Sequence, residues 1–94
     1  MKNLPDFNRG DLVRWTSQGR GTVRHHVGVV VLVVPGGVQI DTLLERMALR
    51  YSLRSMHRAH GCRPEKSYLV ALTNARGAGK ARLHWPHASL LSGY

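Results

Sequence analysis

The chain carries a single cysteine, Cys62, so no disulfide can form within it and its stability must come from packing. Acid is scarce as well: five Asp and Glu stand against fourteen Lys and Arg, a formal charge of +9 with neutral histidines. No apolar run approaches the ~18 residues that cross a bilayer, and the longest, residues 27–34, has the length of a strand. Residues 1–8 have no apolar stretch of the kind a secretory signal needs, which predicts a soluble intracellular protein with no membrane partner. The five acids, Asp6, Asp11, Asp41, Glu45 and Glu65, are scattered. They form no paired-carboxylate signature, and no Ser-His-Asp order or phosphate loop accompanies them. A non-enzymatic protein without cofactor or small-molecule substrate is the expectation.

What is present suits one folded domain. The 94 residues are 43% hydrophobic and 20% charged, a balance able to bury a core. Eleven of the fourteen basic residues are arginine, whose planar fork matches phosphates and carboxylates, so the charge points to nucleic acid or an acidic protein surface as partner.

Periodicity divides the chain. Residues 12–16 alternate as a first strand after the turn at Gly10-Asp11. Residues 17–26, with two glycines and many polar groups, read as a long exposed loop displaying Arg20, Arg24, His25 and His26. Residues 27–34 are almost wholly β-branched and lack polar alternation, predicting a second strand covered on both faces, one by the barrel interior and one by another element or subunit. Thr42 followed by Glu45 has capping-box spacing. Ile40, Leu43, Leu44, Met47 and Tyr51 recur at helical intervals, predicting a helix over residues 42–57. Residues 67–73 and 81–85 read as a hairpin around a Gly-rich turn at 74–80. Residues 86–89 suit one helical turn, and 90–91 a short fifth strand.

This order, together with Gly10-Asp11-Leu12-Val13-Arg14-Trp15, Val27-Gly28-Val29-Val30-Val31, Ser67-Tyr68-Leu69-Val70 and Ala81-Arg82-Leu83-His84-Trp85-Pro86-His87-Ala88-Ser89-Leu90-Leu91, resembles small phage-encoded proteins of the Src-homology-3-like (SH3-like) barrel type, similar to KOW and Tudor modules. The resemblance implies a mainly β, five-stranded barrel over residues 1–94 with one helix inserted between the second and third strands, the insertion covering about residues 36–66. Such barrels bind nucleic acid, peptides or proteins through their loops, and the fold alone does not choose among these.

Three constellations are candidates for chemistry. Arg46, Arg50, Arg54 and Arg58 recur every four residues and would form one basic ridge along the helix, beside the apolar row of Leu43, Met47 and Tyr51. Arg76, Lys80 and Arg82 flank the hairpin tip, and with Arg20 and Arg24 they extend the candidate binding surface. His57, His60 and Cys62 are residue types that zinc accepts, but their spacing is not that of a standard finger. Polar loop residues and no metal site are expected there. Trp15 and Trp85 lie in apolar strand patterns and are expected in the core or at the barrel rim. The leading expectation is a nucleic-acid or nucleoprotein binding module. Its rivals are a virion structural component (decoration, cement or head-to-tail connector) that forms homo-oligomers or virion contacts, and an inhibitor of an acidic host or defence protein. The protein would then sit in the host cytoplasm during infection, or in the virion.

Overall fold

The computed structural model describes residues 6–56, 59–73 and 80–94. Strands β1 (Leu12–Gly19), β2 (Thr22–Val34), β3 (Ser67–Leu72), β4 (Leu83–His84) and β5 (Ser92–Gly93) form one antiparallel sheet in the order β4-β3-β2-β1-β5. One helix, α1 (Ile40–Met47), lies between β2 and β3. Single 3-10 turns occupy Arg54–Met56 and Ala88–Leu90. The edge strands β4 and β5 are not hydrogen-bonded to each other, so hydrogen bonding does not close the sheet into a barrel. Among the described residues no helix is long and apolar enough to cross a membrane.

The expected loop at residues 17–26 is instead a continuation of both strands. β1 and β2 pair without interruption from Leu12↔Val29 to Gly19↔Thr22, and Arg20-Gly21 turns the chain with φ of 52° and 77°. Two successive residues in the left-handed region make the hairpin turn whose twist matches that of the strands, so polar composition here marks a solvated hairpin and not a loop.

The valine strand serves two cores because it is bulged. Its register against β3 shifts between Val30 and Leu32, leaving Val31 as the extra residue. Val30 and Val33 face the first core with Val13, Trp15, Tyr68, Val70, Ala88 and Leu91. Val31, Leu32 and Val34 face the second, with Ile40, Met56, Leu69 and Leu83. The outer side is thus packed by the inserted segment: Leu43, Leu44, Met47, Tyr51 and Leu53 all lie against the second cluster. Gly28, Val30 and Val34 are buried, while Val29, Val31, Leu32 and Val33 are half-buried, so neither face is broadly exposed.

The inserted helix is half its expected length and starts earlier. Gln39 is the N-cap residue, and Thr42 sits inside the first turn with its hydroxyl donating to the Gln39 carbonyl at 2.9 Å, so the Thr42–Glu45 capping box does not form. After Met47 the backbone tightens: the Leu49 N–H reaches the Arg46 carbonyl and the Arg50 N–H the Met47 carbonyl. Ser52 then bonds on both sides to the β4 segment, donating to the Ala81 carbonyl at 2.8 Å and accepting the Leu83 N–H at 3.0 Å. An unbroken helix would carry Leu53 about 120° around the axis from Met47. Breaking it lets Leu53 and Met56 join the same core.

The remaining boundaries shift slightly. β3 ends at Leu72, β4 is confined to Leu83–His84, the last helical turn is Ala88–Leu90, and the fifth strand is Ser92–Gly93. The Tyr68 hydroxyl accepts the Phe7 N–H at 3.1 Å and donates to Asp6, which also pairs with Lys66. This ties the chain's N-terminal segment across β3.

Candidate nucleic-acid interface

Loss of helix beyond Met47 dismantles the expected ridge. Arg46 lies in the last turn of α1, Arg50 in the turns that follow and Arg54 at the start of a 3-10 turn. Their four-residue spacing therefore no longer places them on a common helical face. Arg58, like Arg76, lies outside the described residues, as does His57. Arg46 remains well placed for the helix, since a cation at the C-terminal end complements the macrodipole. Lys80 is engaged nearby: its Nζ donates to the Ala48 carbonyl at 3.0 Å, satisfying one of the orphan acceptors at the end of α1. The bridge between Ser52 and Arg82 brings Arg82 beside the same stretch. Lys80 and the backbone of Arg82 are thus brought beside the stretch that carries Arg50.

Arg20 and Arg24 belong to the β1–β2 hairpin. Arg20 forms its tip and Arg24 stands opposite Ser17. Arg14, absent from the expected set, adds a third exposed guanidinium on β1. Its alternation with Val13 and Trp15, both buried, is the signal that it points outward. Among the described residues none of Arg14, Arg20, Arg24, Arg46, Arg50 and Arg82 is paired with a carboxylate.

Where the hairpin meets the body of the sheet, Trp15, His26 and His84 converge. The indole of Trp15 stacks on the His26 ring at 5.1 Å and 22°, and His84 lies 5.8 Å from both rings. Trp15 is buried in the first core, so it holds the platform and does not present a free face. His26 Nε2 is hydrogen-bonded to the Ser17 hydroxyl at 2.8 Å, whereas the buried Nε2 of His84 has no partner among the described residues. Desolvation, with the positive charges of Arg24 and His25 nearby, lowers the pKa of His26. Desolvation, with His26 and Arg82 nearby, lowers that of His84. Burial and neighbouring positive charge thus favour the neutral form of both rings at the base of a basic hairpin.

Trp85 is at the rim, half-buried beneath Arg63. The guanidinium lies 3.6 Å from the ring centroid and donates to the carbonyls of Trp85 and Pro86 at 2.8 and 3.0 Å, while the Trp85 indole N–H donates to Ser67 Oγ at 2.8 Å. Burial lowers the Arg63 pKa. This contact latches the end of the insertion to β4, and no local sequence pattern foretells it. His60 and Cys62 are exposed beside it around a shallow depression, and among the described residues no three His, Cys, Asp or Glu side chains group closely enough to hold a metal ion.

Comparison with known proteins returned no matching family model, curated protein or solved structure.

Proposed function

We propose that this protein is a non-enzymatic nucleic-acid binding module built on an open SH3-like barrel of the phage-encoded kind. The strand order β4-β3-β2-β1-β5, with a long bulged β2 shared between two halves of the sheet and a single 3-10 turn before the last strand, supports that fold. The observation that carries the function is the set of exposed arginines without carboxylate partners among the described residues, on the β1–β2 hairpin and around the end of α1. A fold gains little from such unpaired like charges, whereas a polyanion neutralises them and releases its own counterions.

Fluorescence anisotropy with labelled oligonucleotides across a salt series tests this: affinity falls linearly in a log–log plot, with a slope set by the number of phosphates contacted. Absence of binding at low salt refutes it. A second reading, a virion structural component, draws on one feature. The Tyr94 N–H bonds to the Leu12 carbonyl, and both residues carry large exposed side chains, at 75% and 46% exposure. Self-assembly at micromolar concentration without nucleic-acid affinity would favour that reading.

A further inference from the structure

We propose that the outer half of the β1–β2 hairpin is a two-stranded ribbon that enters the major groove of B-form DNA, which makes duplex DNA the partner class. This rests on the nucleic-acid reading above and goes further by naming the element and the groove.

The ribbon stands clear of the rest of the sheet. β5 pairs only with Val13 and Arg14 of β1, and β3 pairs with β2 only from Gly28 onward, with Thr73 adding bonds to the Val27 carbonyl. From Thr16 to Gly19 and from Thr22 to His25 both edges are therefore unpaired among the described residues, and every one of these residues is exposed. The sequence contains no acid between Asp11 and Asp41, so nothing on the ribbon offsets Arg20 and Arg24, or Arg14 at its base. That unbalanced charge disfavours edge pairing with a second copy and favours a polyanion.

Its size selects the groove. Four residue pairs beyond the sheet extend about 14 Å at ~3.4 Å per residue, comparable to the ~8.5 Å depth of a major groove plus the backbone rim, and a groove ~12 Å wide admits a two-stranded ribbon. The major groove of A-form RNA is too narrow for side chains to read.

The two faces differ in chemistry. Ser17 and His26 are bonded to each other on the face that stacks on Trp15. The opposite face carries Thr16, Gln18, Val23 and His25, which pair across the strands as Thr16↔His25 and Gln18↔Val23. Gln18 offers the paired donor and acceptor that an adenine edge takes, and Val23, 50% exposed in an otherwise polar ribbon, offers an apolar contact for a thymine methyl. Arg14, Arg20 and Arg24 are then left for phosphates on the groove walls.

The test uses the full chain and three labelled probes: a 20-base-pair DNA duplex, the matching RNA duplex and the single DNA strand. Arg20→Asn with Arg24→Gln removes two charges while placing Asn-Gly at the turn, a pair that favours this hairpin geometry, so folding is preserved. Far-UV circular dichroism checks the fold. The expected results are duplex DNA bound at least about tenfold tighter than duplex RNA, and a double variant weakened at least about tenfold at 0.1 M salt. Its log–log salt slope should be reduced by about 1.8, corresponding to two phosphate contacts. Gln18→Ala with Val23→Ser should narrow the affinity differences among DNA sequences while leaving the salt slope unchanged. Duplex RNA or single-stranded DNA bound as tightly as duplex DNA, or DNA binding indifferent to both double variants, would overturn the ribbon while leaving nucleic-acid binding intact. Failure of the unmodified protein to bind any probe would overturn both.

Discussion

Replacing Gly28 with alanine tests whether the approach of β2 to β3 governs the whole fold. Gly28 pairs with Val13 on one side and Leu72 on the other, at the place where β2 passes from one half of the sheet to the other. A Cβ there would run into Val70 Cγ1 and stand 2.7 Å from the Ala71 carbonyl oxygen. The valine methyl can rotate away, but the carbonyl belongs to a strand paired on both sides and cannot. Overpacking of this kind costs about 1–3 kcal/mol, offset by about 0.4–1 kcal/mol from the smaller entropy of the unfolded alanine chain. The net loss is about 1–2 kcal/mol, and at roughly 4–8 °C per kcal/mol for a domain of this size Tm should fall by about 5–15 °C. Gly19→Ala is the control, because a methyl group there would have no heavy atom within 4 Å and the Gly19 φ is not positive. Its Tm should stay within about 3 °C of the parent. Thermal denaturation followed by far-UV circular dichroism measures both. A Gly28→Ala protein as stable as the parent would show that β2 and β3 do not approach as closely as this packing requires.

Three further outcomes are expected. The depressed pKa values of His26 and His84 mean that the unfolded chain takes up protons first as pH falls below about 6.5. Stability from these rings is therefore fully present above that pH and is lost as pH falls through their folded-state values. Urea midpoints between pH 7.5 and 5 should decline accordingly, with a shallower decline in His84→Gln, and a rise on acidification would contradict the assignment. Arg63→Met removes the stack on Trp85 and two hydrogen bonds, and should cost about 1–2 kcal/mol in denaturant unfolding. Arg63→Lys, lacking the planar fork, should recover only part of this. Arg46→Gln with Arg50→Gln should change stability by less than about 0.5 kcal/mol while lowering the salt slope of nucleic-acid binding by up to about 1.8. An unchanged slope would remove the end of α1 from the interface.

Local pattern alone is enough for the valine strand, the antiparallel pairing of β3 with β4 (the turn expected at residues 74–80 lies, except for Lys80, outside the described residues), the presence of a helix between β2 and β3, and the basic character of the surface. Each rests on short-range chemistry: β-branched runs, apolar spacing and an excess of arginine are read over a few residues. Tertiary structure decided where the helix stops, because Ser52 bonds to Ala81 and Leu83 across 29 or more positions and draws the chain out of its helical path. That one competition disperses Arg46, Arg50 and Arg54 and brings Lys80 and Arg82 into their neighbourhood. The polar segment of residues 17–26, which completes β1 and begins β2, defeats local pattern for the opposite reason. Its strands have no buried face to impose alternation, and their identity rests on cross-strand pairing and on Arg20-Gly21 adopting positive φ. Arg63 on Trp85 and the Trp15–His26–His84 stack likewise join residues far apart in sequence. Periodicity reports which face of an element is apolar, whereas long-range hydrogen bonds and ring contacts exist only once the sheet has folded and set those faces against each other.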